Sequence, residues 1–261
     1  MPDRNDLSLL EETARAAGAL ALEFQTSGLK HWRKDDRSPV SDADLAVDNL
    51  INRALTSARP DYGWLSEESE PDRTKKDRVF VIDPIDGTRA YIAGRDTWTV
   101  SLAIIEDHRP IAGVVYNPTR NEMYAASLDA KTTLNGTPVE VSNHSALAGA
   151  TLAGGEGVYS RASFISNLKP KPVFIGATSM AYRLCLVASG HCDATISLSG
   201  KSDWDIAAGL LLVHQAGGHV TDIAGQTIKI GENSRHETVI AANPVLHAAA
   251  QNHFEIESAE T

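Results

Sequence analysis

The chain has 261 residues, 42% of them hydrophobic, which is enough to bury a large core and excludes a disordered protein. Its formal net charge of -10 disfavours nonspecific binding to nucleic acid polymers and to anionic membranes. The two cysteines are too few for a disulfide framework or a cysteine-based zinc site. The N-terminus lacks the pattern of a signal peptide and no window of about 18 residues is apolar throughout, so we expect a cytoplasmic protein.

Two amphipathic helices are predicted first. One covers residues 7–25, and Asp6 is expected to cap its N-terminus. The other covers residues 42–58 and begins directly after Ser41. Ser41 and Asp44 have the spacing of a capping box, so the local sequence alone favours a structural role for Asp44 at the helix start.

Acidic residues follow two strand-like segments, at the point where each segment ends. A short predicted strand leads into Glu67 and Glu68, which by themselves are typical of solvated surface. The buried-strand pattern of residues 79–82 leads into Asp83 and Asp86. Two carboxylates this close repel each other unless a cation lies between them, so the second strand end predicts a cation site.

Backbone features at the second strand end also point to a ligand. Pro84 has no N–H group and is expected to end the hydrogen-bond ladder of the strand. Gly87 permits a close approach of the backbone that a Cβ atom would block. Free backbone amides are therefore expected to face a ligand there.

The remaining segments change character near residue 145. Before it, β-rich segments joined by turns predict an antiparallel meander, and after it strands alternate with helices. We therefore predict an N-terminal α+β half, residues 1–144, with most of the acidic candidates, and a C-terminal α/β half, residues 145–261. The predicted strands of this region cover residues 97–105, 110–116, 122–127, 150–153, 173–175, 194–198 and 238–242, and the predicted helices cover 179–188, 203–216 and 244–251.

A third acidic position opens the predicted helix over residues 203–216. Asp203 and Asp205 both fit a plain N-cap, and a helix N-terminus also favours an anionic ligand or a metal-bound phosphate. Together with the acids at the two strand ends, Asp205 completes an oxygen-only set without the His or Cys residues that a zinc site prefers. Such a set suits Mg²⁺ or Mn²⁺.

Three motifs together resemble the signatures of the inositol monophosphatase superfamily in their order and separations. They are WLSEES at residues 64–69, DPIDGT at residues 83–88 and WDIAAG at residues 204–209. The resemblance covers nearly the whole chain. It implies a layered αβαβα sandwich, Mg²⁺-dependent and lithium-sensitive phosphomonoesterase activity, and a small phosphorylated metabolite as the substrate.

The resemblance also implies metal ligands at the matching positions. Glu67, Asp83 and the carbonyl oxygen of Ile85 would hold a first ion, while Asp83, Asp86 and Asp205 would hold a second. The expected cofactor is therefore two or three Mg²⁺ ions, with Mn²⁺ as an alternative.

Contacts to water and phosphate are implied in the same way. Glu67 and Thr88 would orient the attacking water, and Asp44 would form a hydrogen bond with Thr88 in addition to its role at the helix start. The backbone amides of Gly87 and Thr88 would hold the phosphate.

The substrate-binding positions depart from the family pattern. Inositol monophosphatases carry a glutamate in the interval matched by residues 194–202, which here has none and is one residue longer. That interval is more similar to the bisphosphate nucleotidases, which remove the 3′-phosphate of adenosine 3′,5′-bisphosphate. Arg89, Arg183 and Lys201 could meet a second phosphate or could be solvated surface. Ser179, in a substrate segment that departs from the family pattern, is a further predicted substrate contact. Inositol 1-phosphate and histidinol phosphate stay open as alternative substrates.

Two other classes compete with this interpretation. Haloacid-dehalogenase-type phosphatases use a covalent aspartate nucleophile in Asp-x-Asp-Gly-Thr, but Asp83 and Asp86 are one residue too far apart for that arrangement. A non-enzymatic metal- or phosphate-binding regulator would keep the fold without turnover, yet every implied metal and water position is filled. We expect no nucleic acid polymer and no membrane as partner, and a homodimer stays open.

Overall fold

The computed structural model describes residues 4–34, 38–72, 76–159, 165, 167–231 and 235–259. Over these residues it contains one sheet of seven strands, one sheet of five strands and two small two-stranded sheets. None of the described helices is long and apolar enough to cross a membrane.

The N-terminal part of the chain forms the larger sheet and the helices that cover one of its faces. Helices α1 (Arg4–Ser27) and α2 (Asp42–Ala58) are separated by a ribbon of β1 (His31–Arg33) and β2 (Pro39–Ser41). The sheet contains β3 (Gly63–Ser66), β4 (Arg78–Asp86), β5 (Thr99–Glu106), β6 (Arg109–Asn117), β7 (Glu122–Ser127), β8 (Ala130–Leu134) and β9 (Thr137–Pro138), with the short helix α3 (Thr88–Ile92) after β4. These strands lie in sequence order; β3 and β4 are parallel, and each later pair is antiparallel.

The C-terminal part of the chain forms the second sheet. Its elements are β10 (Thr151–Ala153), β11 (Val173–Ile175), α4 (Met180–Ala188), β12 (Ala194–Ser197), β13 (Lys201–Ser202), α5 (Asp203–Gln215), β14 (His219–Thr221), β15 (Arg235–His236), β16 (Val239–Ala242) and α6 (Pro244–Ala259). Five of these strands pair in the order β11-β10-β12-β16-β14, while β13 and β15 pair with each other.

Side chains alternate between layers along the central strands. On β4, Phe80 and Ile82 pack with α1 and α2, whereas Val81 joins a middle core formed with α4 and α5. On β16, Val239 faces the same middle core, whereas Ile240 packs with α6. The order is helices, sheet, helices, sheet and helix, which confirms the predicted αβαβα sandwich.

Two local predictions are wrong because tertiary contacts override the local signals. Asp6 lies inside α1 rather than at its cap, and its buried carboxylate accepts hydrogen bonds from Arg59 at 2.9 Å and Tyr62 at 3.1 Å. Pro84 does not end β4, which continues to Asp86 through an irregularity in its pairing with β5.

Candidate active site

Two adjacent strand ends and one helix start meet at the candidate site. Strands β3 and β4 are parallel neighbours with Ser66 opposite Ile82, so Glu67 and Asp83 emerge at the same edge of the sheet. Helix α5 packs against this sheet, and its first turn supplies Asp205. Predicted acids from both halves of the chain therefore come to one place.

Three carboxylates, which we call the carboxylate trio, form the centre of the site. Asp83, Asp86 and Asp205 each offer one oxygen, and these three oxygens lie within 4.8 Å of one another. Asp83 and Asp86 are buried. The irregular pairing of β4 between them allows two side chains three positions apart on one strand to reach the same point.

Burial and mutual repulsion make the trio difficult to ionise. Burial raises the pKa of Asp83 well above its ordinary value, and the charges of Glu67 and Asp86 raise it further. Burial, followed by the charge of Asp205, raises the pKa of Asp86 to about 7. Burial also raises the pKa of Asp205 to about 6. A divalent cation would remove this repulsion, and the oxygen-only donors fit Mg²⁺.

Helix α4 sets the orientation of Asp86. The Oδ2 atom of Asp86 accepts hydrogen bonds from the Ser179 hydroxyl at 2.7 Å and from the Ala181 amide at 2.6 Å. The Ser179 hydroxyl also accepts from the Tyr182 amide at 2.9 Å and so caps α4. The sequence predicts Ser179 as a substrate contact, but the structure buries this side chain and directs its hydroxyl to a site acid.

Backbone amides orient the other two members of the trio. The Oδ1 atom of Asp83 accepts from the Ile85 amide at 3.1 Å, and the Oδ2 atom of Asp205 accepts from the Ser202 amide at 2.7 Å. Donors fixed by the backbone therefore hold these carboxylates in place.

The hydroxyl of Thr88, at the start of α3, lies near two other predicted site residues, Ile85 and Asp44. Its hydroxyl oxygen lies 3.2 Å from the carbonyl oxygen of Ile85 and 3.5 Å from Oδ1 of Asp44. Asp44 is buried, and its Oδ2 accepts from the amide of Ser41 at 2.8 Å and from the hydroxyl of Ser41 at 2.5 Å. The predicted capping box is confirmed, and the same carboxylate reaches Thr88. Burial raises the pKa of Asp44 to about 6.

Glu67 lies beside a lysine that the sequence did not single out. The Nζ atom of Lys34 lies 3.1 Å from Glu67 and 2.6 Å from Glu68. Burial raises the pKa of Glu68 to about 7, although the hydrogen bond from Lys34 opposes the rise. Lys34 directly follows β1, and no sequence motif marks it as a neighbour of the site.

Gly87 provides a left-handed backbone position at the start of α3. Its φ is +94°, and a Cβ atom there would lie 3.2 Å from both Cβ of Ser179 and the carbonyl oxygen of Thr97. A side chain there would be strained by the backbone conformation and crowded by its neighbours. Gly87 and Thr88 both line the cavity above the acids.

That cavity has a volume of about 1070 Å³, and cations form part of its wall. Arg89, Arg183 and Lys201, the cations predicted as substrate contacts, line it, and Arg95 lines it without any sequence motif to mark it. Arg89 is exposed on α3, and the Lys201 ammonium lies 3.4 Å from the Ser199 hydroxyl. Anionic groups beyond the reacting phosphate would therefore find cations here.

Arg183 differs from the other cations because it is only 3% exposed. Its Nε donates to the carbonyl oxygen of Ala153 at 3.1 Å and to the hydroxyl of Thr195 at 2.8 Å, and its Nη2 donates to the carbonyl oxygen of Ile196 at 2.8 Å. All of these partners are uncharged. A buried cation is poorly stabilised by neutral partners alone, so an anion in the cavity would improve its surroundings.

Comparisons with known proteins agree with one another. Residues 4–258 match the inositol monophosphatase family. The Nus factor SuhB of Xylella fastidiosa is 33% identical, over 94% of this chain and 93% of the relative. The 3′(2′),5′-bisphosphate nucleotidase CysQ of Salmonella typhimurium is 32% identical, over 83% of this chain and 90% of the relative. A solved structure of an IMPase from Thermotoga maritima is 27% identical with a TM-score of 0.86, and the match covers 99% of both chains.

Proposed function

Because the chain belongs to the inositol monophosphatase family and is a phosphatase, we propose that its substrate is a small phosphate monoester with a second anionic group. Adenosine 3′,5′-bisphosphate is the favoured substrate. The observation that carries this choice is the buried Arg183 guanidinium, which lines the cavity and whose hydrogen-bond partners among the described residues are all uncharged. The relative named as a bisphosphate nucleotidase supports it.

The proposed metal ligands are oxygen atoms only. We assign Glu67, Asp83 and the Ile85 carbonyl to a first Mg²⁺ ion, and Asp83, Asp86 and Asp205 to a second. The raised pKa values of the trio support this assignment, because their repulsion is relieved by a cation. When bound, Mg²⁺ would lower the pKa of a water molecule and neutralise the phosphate and its leaving oxygen.

Thr88, Asp44 and Glu67 are proposed to orient the attacking water. When the Thr88 hydroxyl donates its hydrogen bond to Asp44, its lone pairs are free to accept a hydrogen bond from the water. Asp44 accepts best when ionised, and two hydrogen bonds from Ser41 favour that form against burial. Glu67 would accept the other hydrogen bond of the water, which leaves a lone pair of the water directed at phosphorus. The amides of Gly87 and Thr88 would hold the phosphate oxygens.

The alternative substrates have no second phosphate to contact the cations that line the cavity. Inositol 1-phosphate has an uncharged polyol beyond its phosphate, so Arg183 would keep only neutral partners. Histidinol phosphate carries an amino group that is positively charged at neutral pH, and the cations that line the cavity would repel it. A second phosphate instead meets Arg183 on the buried wall, with Lys201 and Arg89 nearer to solvent.

The test is phosphate release by the purified chain with Mg²⁺, and the matched substrate is adenosine 3′-monophosphate, which lacks only the second phosphate. We expect kcat/KM for the bisphosphate to be higher by about tenfold or more, the effect of one charge-assisted contact. Inositol 1-phosphate and histidinol phosphate, at equal concentration, complete the series. Equal values for the bisphosphate and the monophosphate would overturn the proposed substrate.

Arg183 is tested by Arg183→Lys and Arg183→Met. Both should raise KM for the bisphosphate more than for the monophosphate, and Arg183→Lys should do so less because it keeps the charge. Since the side chain is buried, thermal unfolding must first show that each variant is folded. Equal losses on both substrates would assign Arg183 to structure instead.

A further inference from the structure

A buried carboxylate on α2 lies behind the glutamates of the site. Asp48 is 4% exposed and lies one helical turn beyond Asp44, on the same face of α2. Its Oδ1 atom accepts a hydrogen bond from the hydroxyl of Ser66, which is also 4% exposed. Ser66 is the last residue of β3 and directly precedes Glu67. Asp48 therefore contacts the strand end that presents Glu67.

This pair is polar although the core around it is apolar. Three other buried side chains of α2 belong to the core against the larger sheet: Val47, Ile51 and Leu55. Alternation along β3 directs Ser66 to the same face as Trp64, which belongs to that core too. Two apolar side chains would therefore suit the positions of Asp48 and Ser66 in the layer between α2 and the sheet.

Stability does not account for the pair. Within the described residues, the hydrogen-bond partner of the Asp48 carboxylate is the uncharged hydroxyl of Ser66. A buried carboxylate with a neutral partner is costly to remove from water. Exchanging both members of a buried hydrogen-bonded pair for apolar groups is nearly neutral or stabilising. The effect of the pair lies instead in the segment that follows Ser66.

The pair fixes the backbone that carries Glu67. The Ser66 hydroxyl donates its one hydrogen to Asp48, so its lone pairs are free to accept from the amide of Glu68, at 3.4 Å. On the other side, the amide of Glu67 donates to the carbonyl oxygen of Ile82 at 3.2 Å. The turn after β3 is thus held by a side-chain contact to α2 and by a backbone contact to β4.

Helix α2 supports the end of β4 in a similar way. Oδ1 of Asp44 lies 3.5 Å from the hydroxyl oxygen of Thr88, which follows β4, whereas Asp48 accepts from Ser66 at the end of β3. Because residues four apart lie above one another on a helix, one face of α2 serves both strand ends. Groups that are held in place before a ligand binds lose less entropy when it does.

We propose that Asp48, acting through Ser66, is a positioning residue that holds Glu67 in the orientation that the first Mg²⁺ ion and the attacking water require. This inference rests on the proposed function, which assigns Glu67 to that ion, and extends it to the helix behind the ligands. Asp48 touches no reacting group. Loss of the pair therefore weakens Mg²⁺ binding and lowers kcat, while KM for the substrate changes little.

The test is the double variant Asp48→Ala with Ser66→Val, whose apolar residues suit a helix and a strand. The Tm of the metal-free chain should stay the same or rise. Mg²⁺ binding, measured by isothermal titration calorimetry without substrate, should weaken about tenfold, as for other groups that support a metal ligand. At saturating Mg²⁺, kcat should fall and KM should stay. Unchanged Mg²⁺ affinity and kcat in the double variant would overturn the role of Asp48.

Two single variants separate the contact from the charge. Asp48→Asn removes the charge but keeps an oxygen that accepts from Ser66, so it should keep most of the Mg²⁺ affinity. Ser66→Ala keeps the charge and breaks the contact, so it should weaken Mg²⁺ binding about tenfold. The reverse order would show that the charge of Asp48 supports the metal, and it would overturn the positioning role.

Asp61→Asn is the matched control, since Asp61 is exposed in the turn before β3. It removes the same charge as Asp48→Asn and should leave the Mg²⁺ affinity unchanged. If the unmodified chain binds Mg²⁺ and hydrolyses adenosine 3′,5′-bisphosphate, and the double variant does both equally well, the role of Asp48 is overturned and the proposed function stands. If the unmodified chain does not bind Mg²⁺, both are overturned.

Discussion

The carboxylate trio predicts competition between Mg²⁺ and protons. An ordinary aspartate has a pKa of 3.8, whereas burial raises that of Asp86 to about 7 and that of Asp205 to about 6. At pH values between the ordinary aspartate pKa and these raised pKa values, the metal-free folded chain holds protons that the unfolded chain has released. Protonation of the trio therefore stabilises the metal-free fold fully below about pH 4, and this contribution is lost as the pH rises toward 7.

The size of the effect follows from the two pKa values. A pH of 5 lies about two units below the pKa of Asp86 and about one unit below that of Asp205. Because both carboxyl groups must lose a proton to bind the metal, the apparent Mg²⁺ affinity at pH 5 should be about a thousandfold weaker than above pH 8. Mg²⁺ at about 100 times its Kd at pH 8 stabilises the fold by about 2.7 kcal/mol. For 261 residues this raises Tm by about 5–10 °C. The same concentration at pH 5 contributes less than about 0.1 kcal/mol.

Thermal unfolding with and without Mg²⁺, at pH 5 and at pH 8, measures this difference. Asp205→Asn should weaken the Mg²⁺ response at pH 8, because it removes a ligand of the second assigned ion, and should raise the Tm of the metal-free chain, because one repelling charge is gone. Asp61→Asn changes an exposed aspartate and should keep the full response. Equal Mg²⁺ shifts at both pH values, or a full response in Asp205→Asn, would refute the reasoning.

Four further substitutions test separate contacts. Asp83→Asn should remove most phosphate release, because it takes away the charge shared by both assigned ions, while the circular dichroism spectrum stays unchanged. Lys34→Gln removes an ammonium that pairs with the two site glutamates and should lower the Mg²⁺ concentration for half-maximal activity; a higher requirement would contradict that competition. Ser179→Ala removes a hydrogen bond that favours ionised Asp86 and should move the acid limb of the pH–rate profile upward by about one unit, whereas an unmoved limb would exclude this support. Gly113→Ala should lower Tm by several degrees, because a Cβ atom would press on the backbone of α5.

The features predicted correctly from the sequence depend on short-range signals. The bounds of α2, Asp42–Ala58, follow from the capping box at Ser41, an apolar stripe and the proline at position 60, all of which act within the helix or at its ends. Strand β3 ends at Ser66, directly before Glu67, as the short strand-like segment that leads into the two glutamates predicts. In each case the deciding residues lie within a few positions of the feature that they specify.

Contacts between distant residues could not be predicted in this way. The hydrogen bond from Ser179 to Asp86 joins residues 93 positions apart, and it forms only because of the way α4 packs against β4. Asp6 carries a helix-cap signal, yet its ion pair with Arg59, 53 positions away, decides its place. Strands β13 and β15 have two residues each, too few to show a periodic pattern. The pairing of Lys201 with His236 across these two strands was therefore invisible in the sequence.

The Gly113 substitution tests whether the two halves of the chain unfold as one unit. A Cβ atom at Gly113, on β6, would lie 3.1 Å from Cα and 3.2 Å from the carbonyl oxygen of Ala208, on α5. Because both are backbone atoms, the helix that carries Asp205 must move away from the sheet, and the middle core between the halves must loosen with it. We therefore expect one unfolding transition at a lower Tm, together with a weaker Mg²⁺ response. Gly155→Ala, where a Cβ atom meets no atom of the described residues within 4 Å, should change neither. Two separate transitions in calorimetry, with only one of them shifted by Gly113→Ala, would show that the halves are independent and that the metal site does not depend on their shared core.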